Sequence, residues 1–476
     1  MALADGGYYS GTLGARASGR GGAFTAKADD VSAISFNPAG LAKLDGTLFQ
    51  IGNEASYNSY AYTRTPTNDY RRGDAPLVVF DKVSNSKPWQ MLLPMVGATS
   101  RLGLENWGFG LAAFAPPGIG NEEFPAGPGD NFKQGGQRYM MISREAIILT
   151  YAASAAWKYQ DIFGFGATAE WIQVPRLNYS LIVDGTGFSK ADNPVSAPLD
   201  IMATTKGSSL FTFNAILGTW YRPVPFLELG LSGQVVPTSI VTHSTLSVTA
   251  LDPATVGSIK LARGNKPAND VTLTLPLPLI FRSGVRYRGL AGAREIFDVE
   301  LDVDYTTWSR VKTFTIDTNG LTATASGLDA TPLNRIVIEK HWRDTVAVKL
   351  GGDYAVVPDR LTLRAGGYYE TAVADPAYAN VDFPGGPQVG GALGASLFFQ
   401  QFEVALAYQL RVQPSVSVSE ANARVYQQVP ASTCQAPYND PNECNTHLNG
   451  QPSPVINAGT YSAASHLLAI HVIYRH

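Results

Sequence analysis

Charged residues are scarce in this sequence. Asp, Glu, Lys and Arg make up 16% of its 476 residues, against about 25% in an average soluble domain. The formal net charge is −3, so the chain has no basic excess with which to displace counterions from phosphate, and we expect no nucleic-acid partner. Aromatic residues reach 11%, and glycine and proline number 47 and 30, so the composition favours rings and turns.

Long hydrophobic runs are also missing. The best apolar stretches, EAIILTYAASAAW and MLLPMVGA, fall short of the roughly 18 residues that a membrane helix requires. A helical membrane protein is therefore not expected. The first residues, MALAD, contain Ala2, Leu3 and Ala4, a small-x-small pattern typical of a signal cleavage site. This pattern predicts an exported protein whose signal peptide has been removed.

Cysteine is limited to Cys434 and Cys444, which lie in the polar segment TCQAPYNDPNEC. A disulfide between them would rigidify an exposed loop in an oxidising compartment. We predict this disulfide, and two free thiols are the alternative.

Catalytic and metal-binding motifs are missing as well. The sequence contains neither Gly-x-Ser-x-Gly nor His-Glu-x-x-His, and its six histidines show no spacing that favours a metal site. The Gly-x-Gly pairs at 108/110 and 164/166 lack the third glycine of a nucleotide-binding loop. We expect no enzyme activity, no cofactor and no metal.

Alternation of apolar and charged residues is abundant. In FDVELDVDYTTW, Val299 and Leu301 fall on one face, whereas Asp298 and Glu300 fall on the other. Such a period of two predicts a β-strand with one apolar and one polar side. The preceding FRSGVRYRG alternates in the same way, and a hairpin across LAGARE would bring its arginines beside these acids.

The links between the strands distinguish a membrane barrel from a soluble sandwich. Short links such as YQD, RPVP and VPDR alternate with long polar ones such as 117–140 and 414–465, as inner turns and outer loops do in transmembrane barrels. We therefore predict an all-β membrane protein, a fourteen-stranded antiparallel transmembrane β-barrel. The predicted strands are 47–58, 89–101, 107–116, 141–158, 161–180, 207–221, 226–249, 269–288, 295–313, 341–356, 360–372, 388–400, 402–413 and 466–475.

The N-terminal segment LGARASGRGGAFTAKADDVSAISFNPAGLAKLDG resembles the hatch of the FadL-type transporters of long-chain fatty acids and hydrocarbons, whose Asn-Pro-Ala motif matches Asn37, Pro38 and Ala39. The segments LPLIFRSGVRYRG, FDVELDVDYTTWSRVK, HWRDTVAVKLGGDYAV, LTLRAGGYYE and YSAASHLLAIHVIYRH are similar to later strands of that family, in the same order. The ending YRH departs from the family, whose members usually finish on an aromatic residue.

The resemblance implies a monomeric barrel of residues 47–476, plugged by a hatch of residues 1–46 and surrounded by the lipid and lipopolysaccharide of the bacterial outer membrane. It also implies passive uptake of hydrophobic small molecules by capture, hatch movement and lateral exit through a kinked third strand. The candidate gate residues in the hatch, where proline fixes a turn, are Asn37, Pro38, Ala39 and Gly40.

The kinked third strand corresponds to WGFGLAAFAPPG in this sequence. Glycine and proline weaken or end a strand ladder locally. The candidate residues for the lateral opening are therefore Gly108, Gly110 and Pro116, although glycine is common throughout the chain.

The nature of the cargo depends on buried charge. A fatty acid carries a carboxylate, which enters an apolar pocket only if a cation or several donors receive it. Long-chain fatty acids or similar amphipaths are the leading prediction, neutral alkanes or monoaromatic hydrocarbons are the alternative, and a general porin or an adhesin is less favoured. The inward candidates for binding the carboxylate, each of which could instead pair with the acidic wall, are Arg282, Arg286, Lys349, Arg364 and Arg411.

Overall fold

The computed structural model describes residues 13–67, 79–116, 120–125, 135–183, 200–251, 257–325, 331–333, 335–426, 447–448, 451–452 and 455–476. Cys434 and Cys444 lie outside these ranges, so their disulfide stays a prediction. In the described part of the chain, no helix is long and apolar enough to cross a membrane.

Strands make up most of the described chain. Two short helices, α1 (Ala15–Gly19) and α2 (Ala33–Phe36), are followed by 3-10 turns at Pro38–Lys43, Trp308–Arg310 and Pro376–Tyr378. The strands in chain order are β1 Thr47–Arg64, β2 Val83–Ser84, β3 Trp89–Ser100, β4 Trp107–Phe114, β5 Glu122–Glu123, β6 Met141–Tyr159, β7 Phe163–Val183, β8 Ile201–Val224, β9 Leu227–Gln234, β10 Ser239–Ala250, β11 Lys260–Arg263, β12 Lys266–Pro267, β13 Asp270–Pro276, β14 Ile280–Ala291, β15 Arg294–Thr306, β16 Thr313–Asp317, β17 Thr322–Thr324, β18 Thr331–Pro332, β19 Ile336–Glu339, β20 Thr345–Val357, β21 Leu361–Glu370, β22 Gln388–Phe399, β23 Phe402–Val418, β24 His447–Leu448, β25 Gln451–Pro452 and β26 Gly459–Arg475.

Fourteen of these strands close into one antiparallel barrel, which confirms the predicted fold class. Closure is made by β1 and β26, which pair from Leu48 opposite Arg475 to Arg64 opposite Gly459. A closed wall leaves no long strand edge to aggregate. The barrel strands, in order around the wall, are β1, β3, β4, β6, β7, β8, β9, β14, β15, β20, β21, β22, β23 and β26.

The two ends of the barrel differ in their links. At one end, which we call the turn end, short turns such as 160–162 and 358–360 join neighbouring strands. At the opposite end, which we call the loop end, the links are long and include 65–88 and 371–387. Outer-membrane barrels have this asymmetry, with the short turns in the periplasm.

The wall turns its apolar face outward and its charged face inward. In β15, Val299 and Leu301 are 45% and 46% exposed, whereas Asp298 and Glu300 are 1% and 0% exposed. Arg286 lies opposite Glu300 in the register of β14 and β15, so the predicted hairpin is confirmed. The acids of this strand therefore line the barrel interior.

The interior has two zones. In the turn-end half, residues 13–46 form a compact segment that we call the plug, and Phe24, Ile34 and Leu41 provide part of its apolar contacts. The loop-end half holds a larger cluster of buried apolar side chains, which we call the outer apolar core. Its members include Tyr60, Met140, Ile172, Val174, Ile240, Leu275, Trp308, Phe314, Trp342, Val381, Phe383 and Tyr461.

Two of the predicted strands are broken in the structure. The predicted strand 226–249 is divided into β9 and β10 around Pro237, and the predicted strand 269–288 is divided into β13 and β14 around Pro278. Proline has no amide hydrogen to donate to a ladder, and it is rarely found inside a central strand. The alternating pattern continues on both sides of each break, which is why the sequence predicted unbroken strands.

Candidate functional site

Buried ion pairs bind the plug to the wall. Arg20 is 0% exposed. Its guanidinium lies 2.6 Å from both Asp298 and Asp353 and 3.0 Å from Glu300. These acids come from β15 and β20, so one side chain of the plug bridges two neighbouring strands. A charge buried without a partner is strongly destabilising, and the plug thus supplies a cation that the acidic wall requires.

Backbone amides of the plug donate to the same acidic wall. The N–H groups of Phe24 and Thr25 donate to Asp302 at 2.8 and 2.9 Å, and the N–H of Ala26 donates to Glu300 at 2.6 Å. Successive amides that point at carboxylates form an anion-binding nest. The plug is therefore bound by its backbone as well as by its side chains.

The Asn-Pro-Ala-Gly turn is fastened to β7 and β8. The side-chain Nδ2 of Asn37 donates to the carbonyl oxygens of Thr25 at 2.9 Å and Thr219 at 3.0 Å. The side-chain Oδ1 of the same residue accepts a hydrogen bond from the N–H of Ala39 at 3.2 Å. The indole N–H of Trp220 donates to the Ala39 carbonyl at 3.0 Å. Asn37 thus caps the 3-10 turn that follows it and links the plug to the wall.

The remaining residues of this motif lie in close contact with backbone. A Cβ added to Gly166 of β7 would lie 2.4 Å from the carbonyl carbon of Pro38, and a Cβ added to Gly40 would lie 2.1 Å from the carbonyl oxygen of Ala28. A side chain at either glycine would separate the turn from β7 or from the rest of the plug. The four predicted gate residues are therefore packed at the plug–wall interface.

Gly108 and Gly110 lie where the plug touches β4. Both stay in the ladder with β6, Gly108 opposite Ala156 and Gly110 opposite Ser154. A Cβ at Gly108 would lie 2.3 Å from the carbonyl oxygen of Leu41. Contrary to the sequence-based expectation, these glycines do not interrupt the strand, because their lack of a side chain makes room for the plug instead.

Beyond these glycines, the described residues of the third strand leave a break in the ladder with β6. β4 ends at Phe114, and the next described pairing with β6 is that of Glu122 opposite Arg144. Pro116 is buried inside this interval. Residues 145–149 of β6 consequently have no ladder partner among the described residues of the third strand. Of the three predicted residues for the lateral opening, Pro116 is the one that lies at the break.

Four aromatic side chains form the centre of the outer apolar core. Trp342 makes edge-to-face contacts with Trp308, Phe314 and Phe383, at ring-centroid distances of 5.1, 5.8 and 5.4 Å. Such pairs are favoured by the quadrupoles of the rings. The outer apolar core therefore has a buried aromatic centre.

A buried lysine lies against these rings. Lys340, in the link between β19 and β20, places its ammonium 2.6 Å from each carboxylate oxygen of Asp382. The ammonium also lies 4.9 Å from the centre of the Phe314 ring. Burial lowers the pKa of Lys340, while the attraction of Asp382 opposes that change. The ion pair places two opposite charges beside the aromatic rings.

A buried arginine connects this region with the break in the wall. The guanidinium of Arg144 lies 2.8 Å from a carboxylate oxygen of Glu122 and 4.5 Å from the centre of the Phe383 ring. Glu122 belongs to the segment that rejoins the wall after the break. The aromatic centre and the lateral break thus share one charged contact.

Comparison with known protein families identifies one family over most of the chain. The family model described as "Outer membrane protein transport protein (OMPP1/FadL/TodX)" matches residues 6–439. The chain belongs to this FadL/TodX family. No curated protein sequence matches it significantly.

Solved structures of FadL/TodX proteins share the fold. A FadL homologue of Pseudomonas aeruginosa is 16% identical over 98% of this chain and 99% of its own, with a TM-score of 0.72. The toluene transporter TodX of P. putida is 14% identical over 98% of both chains, with a TM-score of 0.63. The toluene transporter TbuX of Ralstonia pickettii is 17% identical over 97% of this chain and 98% of its own, with a TM-score of 0.58.

Membership of the FadL/TodX family establishes the general activity. The family consists of outer-membrane channels that transport hydrophobic compounds, and they are not enzymes. The protein is therefore a bacterial outer-membrane transporter of hydrophobic molecules.

The five inward cations predicted from the sequence are each at most 5% exposed in this FadL/TodX barrel. Four of them pair with acids of the wall, and two of these acids, Asp353 and Glu228, also pair with cations of the plug. Arg411 instead contacts Gln409 on its own strand. The contacts are Arg282 to Asp304 at 3.7 Å, Arg286 to Glu228 at 2.9 Å, Lys349 to Asp304 at 2.6 Å, Arg364 to Asp353 at 3.1 Å and Arg411 to Gln409 at 2.7 Å.

Lys340 was missed because it does not belong to a long alternating strand. It follows the short strand IVIE, and its partner Asp382 lies in the link 371–387. The available signal was a lysine two residues before a tryptophan at a strand boundary, which is weak without the partner.

Proposed function

We propose that this protein carries long-chain amphipaths, with fatty acids as the leading class, through the outer apolar core and sideways out of the barrel beside Pro116. The observation that carries this proposal is the position of Lys340 and Arg144, two buried cations among aromatic rings next to the break in the wall. A neutral hydrocarbon needs no charge on its route. A buried ion pair contributes little or nothing to stability in general, so a binding role is the better explanation.

Exchange of carboxylates is the proposed capture step. Both carboxylate oxygens of Asp382 accept hydrogen bonds from the ammonium of Lys340. A fatty acid also has a carboxylate, which can bind the same ammonium. The charge therefore stays paired while the ligand replaces the aspartate. Asp382 lies in the loop-end link 371–387, so its release opens the site on the side from which the ligand arrives.

The same exchange limits how tightly the ligand binds. Burial of one methylene group is worth about 0.8 kcal/mol, so a chain of roughly fourteen would gain on the order of 11 kcal/mol in a dry site. A passive transporter must release such a ligand. Competition from Asp382 for Lys340 lowers the net affinity, because the ligand gains only the difference between two carboxylate contacts.

The plug stays inside the barrel in this mechanism. Arg20 alone contacts three wall carboxylates, and breaking a buried pair costs about 3–5 kcal/mol. We propose that a smaller shift of residues 30–42 accompanies ligand binding. Ile34 and Leu41 transmit this shift, since they lie within contact distance of β4 at Gly110 and Gly108.

Monoaromatic hydrocarbons are the second candidate. Trp342 and the three rings around it would suit a small neutral ring, and two structurally similar proteins are toluene transporters. On this alternative, Lys340 and Asp382 would have a structural role only.

Uptake by intact cells that lack their own transporter distinguishes the two candidates. Labelled oleate and labelled toluene are supplied to cells that produce the wild type, Lys340→Gln or the control Arg343→Gln. Arg343 is in the same link, but its side chain is 65% exposed and pairs with Asp375. We expect about a tenfold loss of oleate uptake in Lys340→Gln, since a charge-assisted contact is worth about 1.5–3 kcal/mol, with little change in toluene uptake or in the control.

Other outcomes have definite meanings. Toluene uptake without oleate uptake in the wild type would assign the protein to monoaromatic hydrocarbons. Uptake of neither, together with large steady currents in a planar bilayer, would replace both proposals with a general porin. Binding of ligand at the cell surface without uptake would favour an adhesin.

A further inference from the structure

The barrel wall has a second discontinuity, between β8 and the broken strand formed by β9 and β10. We propose that this seam is a second lateral portal, through which the acyl chain or another hydrophobic ligand passes between the outer apolar core and the lipid face. The inference rests on the proposed function for its ligand class, but it concerns a different part of the wall from the break beside Pro116.

The ladder between the two strands is missing over seven residues. Pairing of β8 with β10 ends at Ser208 opposite His243, and pairing of β8 with β9 begins at Ile216 opposite Gln234. All of residues 200–251 are described, and within them 209–215 have no ladder partner in β9 or β10. A hydrogen bond from Val235 N–H to the Ala215 carbonyl, at 3.0 Å, marks the lower end of the seam, which is nearer to the turn end of the barrel.

The broken strand follows its other neighbour through the same interval. Gly233 lies opposite Phe281 below the break, and Ser239 lies opposite Pro276 above it. Between them, the N–H of Leu277 donates to the carbonyl of Thr238 at 2.9 Å. The strand therefore bends together with β13 and β14 and separates from β8.

Prolines explain why the bend occurs there. Pro237 lies in the break of the seventh barrel strand, and Pro276 and Pro278 flank Leu277 in the eighth. Each removes a ladder donor and fixes its own φ. Three prolines in two adjacent central strands are unusual, because proline is normally confined to edges and bulges.

The seam lies at the same height as the break in the third strand. With a rise of about 3.3 Å per residue, the seam begins about 30 Å along the strand from Val224, and the break in β4 begins about 26 Å from Trp107. Unpaired backbone is unfavourable against lipid and is tolerated where it lines a cavity or pathway. A lateral path through the wall therefore explains why unpaired backbone is tolerated at this height.

The outer side of the seam is apolar, and its inner side combines apolar side chains with the buried polar residues Ser209, Thr212 and Asn214 of β8. Outside, Leu210 and Phe211 are 69% and 70% exposed, and a groove lined partly by Leu217, Leu231 and Val235 leads up to the lower end of the seam. Inside, Val174, Ile240 and Leu275 belong to the outer apolar core. Residues 209–215 and 235–242 include no charged residue, which suits the tail of an amphipath while its carboxylate stays at Lys340.

Blocking the seam after the protein has assembled tests the inference. Cells that produce Phe211→Cys, Ser239→Cys or the control Leu393→Cys are treated with pyrene maleimide, a bulky apolar thiol reagent that reaches lipid-facing residues, and uptake of labelled oleate is measured. Leu393 is 64% exposed, but it lies in intact ladders opposite Ala365 and Tyr408. Wild type treated with the same reagent corrects for reaction at the natural cysteines, and mass spectrometry measures labelling at each site.

We expect oleate uptake by labelled Phe211→Cys or Ser239→Cys to be at least fivefold lower than uptake by the same protein before labelling, and uptake by the control to be equal before and after labelling. Equal uptake by all labelled proteins would overturn the second portal and leave the proposed function intact. Failure of the treated wild type and the labelled control to take up oleate at any stage would instead refute the proposed function, and with it a ligand for the seam.

Discussion

Replacement of Arg20 by methionine tests whether buried charge holds the plug in the barrel. The substitution keeps an apolar chain of similar length but removes contacts at 2.6, 2.6 and 3.0 Å to three carboxylates. Two of these acids keep another cation, because Lys27 also contacts Asp298 and Asp353. The hydrogen bonds that Glu300 would keep come chiefly from backbone amides of the plug.

The expected cost lies at the lower end of the range for a broken buried pair. We expect about 3 kcal/mol, which corresponds to roughly a 150-fold shift toward states in which the plug is displaced. Arg343→Met is the matched control, since its exposed pair with Asp375 should contribute less than about 1 kcal/mol.

Two assays measure the effect of Arg20→Met. Ion conductance in a planar bilayer reports displacement of the plug, and the temperature of heat-induced unfolding in detergent reports stability. We expect frequent openings and a lower unfolding temperature for Arg20→Met, and no change for Arg343→Met. Wild-type conductance and stability in Arg20→Met would refute the reasoning and would show that the backbone contacts of the plug are sufficient.

Three further results are expected. Asn37→Ala loses three hydrogen bonds, each worth about 1 kcal/mol, and should slow oleate uptake in correctly assembled protein; unchanged uptake would remove the gating role of this turn. Gly108→Val should raise bilayer conductance, because its Cβ would lie 2.3 Å from the Leu41 carbonyl oxygen, whereas Gly391→Val, at a site with no atom within 4 Å, should not. The wild type should conduct almost no current, and a large steady current would contradict the observed packing of the plug.

The wall was predictable because its signal is local. From Phe297 to Thr306, successive residues of β15 face lipid and interior in turn, so the pattern is visible in any short window that contains Asp298 to Asp302. The breaks in the wall were less visible, because apolar alternation resumes on both sides of Pro237. The pairing of β8 with β9 and with β10 has to be known before the missing ladder between them can be seen.

The charged sites depended on contacts between distant segments. Arg20 and Glu300 are separated by 280 positions in the sequence, and no spacing rule connects them. Lys340 and Asp382 are 42 positions apart and lie in links, where alternation gives no information about side-chain direction. Gly108 was misread for a related reason, since the residue that requires its small size, Leu41, belongs to the plug.

The closure between β1 and β26 sets an order for assembly of the protein. The plug immediately precedes β1, whereas its acidic partners lie in β15 and β20. Once β26 has paired along the whole length of β1, insertion of the plug would require a charged segment to be threaded through an end of a finished cylinder. Enclosure of the plug while the wall is still open would avoid this step, and the plug would then serve as an internal template on which the acidic strands neutralise their charge before the barrel closes.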